Sequence, residues 1–138
     1  MRREFARMLR SLIVGNMSND DYEQQCHELT KRHTVQDAAV EALYNESWFL
    51  YDDFKTHTLR GKWELTPEGR SYFARCLLFL RTPHPFRWPV GLQKWFNRNW
   101  HRPLHAFDDS PPDDTVWPFW TARDLKAATQ SRHLLAAR

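Results

Sequence analysis

Cys26, His27 and His33 place a thiol and two imidazoles within eight residues, the side chain types that hold zinc. Cys26 and His33 stand seven apart, so they share a helix face only if a helix reaches His33. No third ligand accompanies them, and a buried thiol among apolar neighbours accounts for Cys26 without a metal. His101 and His105 have the i, i+4 spacing of helical ligands, but Pro103 between them interrupts a helix. Asp52-Asp53 with His57 is a set for acid–base or metal-assisted hydrolysis. The same residues equally suit a turn with solvated carboxylates. No Gly-rich phosphate loop, Gly-x-Ser-x-Gly elbow or His-Glu-x-x-His pair is present, and the chain has only four glycines. Cys26 and Cys76 lack an activating neighbour apart from His27, which falls on another side of a helix. The expectation is a non-enzymatic chain with no catalytic set, no metal ligands and no cofactor.

The segment RTPHPFRWPVGLQKWFNRNWHRPLH, residues 81 to 105, points elsewhere. Arg81, Arg87, Lys94, Arg98 and Arg102 interleave with Phe86, Trp88, Trp95, Phe96 and Trp100, and no acid is among them. Cations among aromatics suit single-stranded nucleic acid, whose bases stack and whose phosphates pair. They equally suit a core stripe covered by arginine stems. DDSPPDD follows a few residues later. Asp108, Asp109, Asp113 and Asp114 are expected to fold back on Arg87, Arg98 or Arg102 and mask that face from nucleic acid.

The elements that must position these residues are legible from composition and capping. The chain has 138 residues, is 41% hydrophobic and carries seven tryptophans, which suits one globular domain with a real core. No apolar run is long enough to span a membrane. The net charge of +3 is contained in residues 1 to 16, where Arg2, Arg3, Arg7 and Arg10 face one acid, Glu4. That stretch reads as a basic amphipathic extension, either a helix with Phe5, Leu9, Leu12 and Ile13 on one side or a dispensable tail. A targeting peptide suits it poorly, because serine content and a processing site are lacking. Residues 17 to 138 form the expected domain. Its two cysteines read as buried thiols of a reducing compartment, and the cytoplasm is the expected location.

Ser18-Asn19-Asp20-Asp21 caps a helix running to about Lys31. Thr34-Val35-Gln36-Asp37 opens another through about Ser47. Thr66-Pro67-Glu68 starts a third, with Tyr72, Phe73, Cys76, Leu77 and Leu80 as its apolar stripe and Pro83 as its stop. A short helix is expected over about 89 to 100, an acidic Pro-rich loop over 106 to 118, and a last helix from Thr121 to about Leu135. FLYDDFKTHTLRGKWEL, residues 49 to 65, reads as a small hairpin turning at Arg60-Gly61.

Leu65-Thr66-Pro67-Glu68-Gly69-Arg70 followed by an apolar helix resembles the wing and following helix of winged helix-turn-helix regulators. The likeness covers about residues 35 to 80. It implies DNA contacts from the helix before the wing and from wing cations, here Lys55, Arg60 and Lys62. The preceding helix, TVQDAAVEALYNES, departs from that pattern. It carries Asp37, Glu41 and Glu46 and no cation, whereas phosphate neutralisation and base reading need Lys and Arg.

Together these features predict a mainly α, single compact domain of about five helices with a small β-hairpin, on a degenerate winged-helix core. The predicted function is a protein-binding module of accessory, inhibitor or immunity type; the alternative is a winged-helix DNA-binding protein. The expected contact surface is Arg87, Trp88, Lys94, Arg98, Trp100, Arg102, Trp117 and Trp120, facing a protein partner with an acidic surface.

Overall fold

The computed structural model describes residues 1–34, 37–52, 54–88 and 114–136. Among them are five α-helices: α1 (Arg2–Ile13), α2 (Asn19–Arg32), α3 (Ala38–Ser47), α4 (Pro67–Leu80) and α5 (Ala122–Ala136). No helix among the described residues is long and apolar enough to cross a membrane.

Helix α1 is a wall of the core. It packs on α2, α3 and α4, and Phe5, Leu9 and Leu12 are fully buried. Burying each such side chain contributes about 1.5–3 kcal/mol. Their i, i+4, i+7 spacing leaves Arg3, Arg7 and Arg10 on the opposite, exposed side. The turn just past the helix contains Gly15, whose φ of 69° a residue with a side chain rarely adopts. A Cβ there would also strike the Arg60 side chain, which lies across this turn and donates from Nη2 to Asn16 Oδ1 at 2.6 Å.

The starts of α2, α4 and α5 are where their capping residues predict. Ser18 Oγ accepts from the Asp21 amide at 3.1 Å, Thr66 Oγ1 from Gly69 at 3.1 Å, and Thr121 Oγ1 from Asp124 at 3.2 Å. Helix α3 differs. Its cap is Asp37, which accepts from the Ala39 amide at 2.9 Å, and not Thr34, which is exposed. Arg2 holds Asp37 in place at 2.7 Å, a tertiary contact that selects one of two good capping residues.

Helix α4 serves two clusters. Phe73, Cys76 and Leu80 join the main core with Phe5, Leu9, Tyr22 and Leu43. Phe79 is buried on another side with Ala39, Val116, Phe119 and Ala128. The buried set therefore includes Phe79, while Leu77 and Tyr72 of the expected stripe are only partly buried. Helix α5 closes the second cluster against α4.

The hairpin expected over 50 to 65 is not formed by the described residues. Their β-pairing consists of one isolated bridge, Ser18 to Thr58, and Gly61–Trp63 is a 3₁₀ turn. Three backbone groups of this segment, the Asp52 and Lys55 carbonyls and the His57 amide, are met instead by one side chain, Asn19. The helix expected over 89 to 100 and the acidic loop up to residue 113 lie outside the described residues. So do the pairings expected of that loop.

Candidate interaction surface

Asn19, the first residue of α2, is buried to 1% exposure. Its amide group is an organising clip. Nδ2 donates to the Asp52 carbonyl at 3.2 Å and to the Lys55 carbonyl at 3.1 Å. Oδ1 accepts from the His57 amide at 2.8 Å, and the Asn19 amide donates to the His57 carbonyl at 3.0 Å. Next to it, Asp20 accepts a hydrogen bond from Thr56. Asp52 Oδ1 accepts from the Phe54 amide at 2.9 Å, closing an Asx turn. The His57 ring donates from Nδ1 to the Lys55 carbonyl at 2.7 Å and stacks on Trp63, with centroids 4.3 Å apart.

The other end of this loop is anchored by rings. Trp48, in the 3₁₀ turn Trp48–Leu50 that continues α3, meets Tyr44 edge-on at 5.8 Å and Tyr51 at 6.3 Å. Tyr44 and Tyr51 both contact the buried Tyr22 ring. The Tyr22 hydroxyl and the buried Ser47 hydroxyl are 2.9 Å apart, and Ser47 donates to the Tyr44 carbonyl at 2.6 Å. Both ends of the loop are thus tied to the core, and two phenylalanines between them are left in solvent. Phe49 is 87% exposed and Phe54 is 95% exposed, with Trp48 at 39% beside them. Burying one Phe is worth about 1.5–3 kcal/mol, so their exposure forgoes a few kcal/mol of folding stability. Asp20, Asp21 and Lys55 are exposed around this site.

The surface predicted from sequence is placed differently where it is described. Trp120 is 3% exposed, inside the structure. Trp117 stacks on Tyr72 at 5.5 Å with the ring planes 7° apart, and its carbonyl accepts from Arg75 at 2.6 Å. Trp88 is partly buried, donates from Nε1 to the Phe119 carbonyl at 3.2 Å and meets Trp120 edge-on at 5.2 Å. Arg87 is partly buried. Trp88 and Trp120 thus pack against each other, and Trp117 packs against α4. Lys94, Arg98, Trp100 and Arg102 lie outside the described residues. Of the wing cations, Lys55 is exposed, Arg60 caps the turn at Gly15, and Lys62 lies over the Trp63 ring at 5.0 Å.

Both thiols are buried. Burial pushes the Cys26 thiol up to about 12, and it raises the Cys76 thiol as well. Neither is a ready nucleophile at neutral pH. Among the described residues no three His, Cys, Asp or Glu side chains converge as a metal cluster. Cys26 is buried whereas His27 faces solvent.

Sequence reasoning missed Phe49 and Phe54 because the aromatics, threonines and central Gly61 of residues 49 to 65 read as a hairpin. The available signal was Asp52-Asp53-Phe54, a turn-forming pair followed by an apolar residue with no stripe to join. No known protein family, characterised protein or solved structure matches the chain in comparison.

Proposed function

We propose that this chain is a non-enzymatic protein-binding module that docks through the loop 48–55, with Phe49 and Phe54 as anchors. The observation that carries the reading is Phe54, 95% exposed at the tip of a loop that a buried asparagine and an aromatic cluster hold in place. A held loop loses little conformational entropy on binding, and exposed aromatic side chains are the anchors such interfaces use. Two phenylalanines entering apolar pockets would supply about 3–6 kcal/mol, two to four decades of affinity. The carboxylates of Asp20, Asp21 and Asp52 around them call for a partner whose pocket has a cationic rim.

The test is capture by the immobilised full chain against its Phe49→Ala/Phe54→Ala variant. The proposal expects a partner held by the parent and lost by the variant at equal melting temperature. Equal retention by both would overturn it. The alternative, a winged-helix DNA-binding protein, makes a different forecast. There, salt-sensitive duplex binding is lost on changing Lys55, Arg60 and Lys62 and is unaffected by the phenylalanines.

A further inference from the structure

The four arginines of α1 divide into two kinds. Arg2 is engaged on three sides. Its Nε donates to Asp37 and its Nη1 to the His84 carbonyl, both at 2.7 Å, and its guanidinium lies over the Phe79 ring. Arg3, Arg7 and Arg10 are exposed, as is Arg81 at the end of α4. No carboxylate among the described residues is within ion-pair distance of these four.

Steps of four and three place Arg3, Arg7 and Arg10 on one ridge, because the opposite side of α1 is committed to the core. The ridge extends over about 10 Å at 1.5 Å per residue. Arg3 and Arg7 share a groove of about 440 Å³ with Arg81, floored by Ala6. The one acid of α1, Glu4, is paired with Arg32 of α2 at 2.7 Å. That hydrogen bond, with Arg7 and His33 also near, holds its carboxyl below the usual range.

We propose that this ridge and groove bind the phosphate backbone of nucleic acid without reading its sequence. Residues 17 to 138 carry no net charge, so the positive charge of the chain is concentrated on this helix. Gathering like charges raises the local potential and favours a polyanion. Guanidinium forks match phosphate oxygens in pairs. A protein hot spot would need an apolar anchor among the charges, and the one apolar residue of the groove, Ala6, is buried. Among the described residues the groove sets no amide side chain for an adenine edge and no aromatic ring for base stacking beside its three arginines, which leaves phosphate as the group they meet in common on any sequence. The apolar face of α1 is in the core, so the helix has none left to insert into lipid. The site is separate from the Phe49–Phe54 loop, and either can fail without the other.

The test is anisotropy of a labelled random duplex of about 20 base pairs with the full chain, from about 50 to 200 mM salt. Four phosphate contacts give a slope of log Kobs against log salt of at least about −3.6, a weakening of roughly 100-fold over that range. Arg3→Gln/Arg7→Gln/Arg81→Gln is expected to flatten the slope by about 2.7 with no change in melting temperature. Lys55→Gln/Arg60→Gln/Lys62→Gln should leave it unchanged. The proposal is overturned if the parent shows no salt-dependent binding, or if the first variant keeps the parent slope. It is also overturned if the second variant is the one that flattens it. Competition by polyglutamate as effective as by unlabelled duplex would reassign the ridge to an acidic protein.

Discussion

Two short aromatic runs, Trp48-Phe49-Leu50-Tyr51 and Trp117-Pro118-Phe119-Trp120, look alike in composition and end differently. In the second, Phe119 is fully buried, meeting Phe79 edge-on at 5.1 Å, and Trp120 is almost as deep. In the first, Trp48 and Tyr51 turn inward to the Tyr22 cluster while Phe49 remains in water. The second run has α4 beneath it and belongs to the same cluster as Ala128 of α5. The first run packs its Trp48 and Tyr51 on Tyr44 and Tyr22 but leaves Phe49 uncovered, and a second exposed phenylalanine, Phe54, follows in the loop that Asn19 holds. Aromatic content alone therefore does not distinguish core from contact surface. What distinguishes them is whether another element is available to cover the ring.

The largest expected effect that would break this contrast is at Phe119. Phe119→Ala empties a site with no exposure and should cost about 3–5 kcal/mol in urea unfolding. A cost under about 1 kcal/mol would mean the second cluster does not hold α5 to the domain.

Asn19→Ala should come next, at about 1–3 kcal/mol, because the Asp52 and Lys55 carbonyls and the His57 amide lose their buried partner. Hydrogen exchange at His57 should quicken in this variant more than exchange in α4. Uniform exchange across the chain would show that Asn19 supports the whole fold and not the loop in particular.

The smallest effect sharpens the comparison from the other side. Phe49→Ala/Phe54→Ala should change stability by no more than about 0.5 kcal/mol, because neither ring is covered. A loss comparable to that of Phe119→Ala would place these rings in an intramolecular contact and remove them as anchors.

Much of the helical framework was legible before any coordinates. Ser18, Thr66 and Thr121 each announce a helix start through a local hydrogen bond, and local chemistry needs no knowledge of the fold. The α4 stripe was legible only in part, since Phe73, Cys76 and Leu80 follow the period but Phe79 faces a second cluster that no periodicity within α4 describes. Of the loop only the turn at Asp52 was legible. Three of its backbone groups are satisfied by Asn19, 33 to 38 residues away, and that residue read simply as part of a cap.

By itself the sequence determined where most helices begin, which face of α1 is apolar, and that the positive charge gathers in residues 1 to 16. These follow from hydrogen bonds and side-chain periodicity within a few residues. Only the tertiary structure decided that α1 is a core wall and not an appendage. The same is true of which arginine of α1 is engaged, whether 49 to 65 pairs as strands, and which aromatic rings are covered. Each depends on groups far apart in the chain being brought together, and local pattern carries no information about which element will arrive.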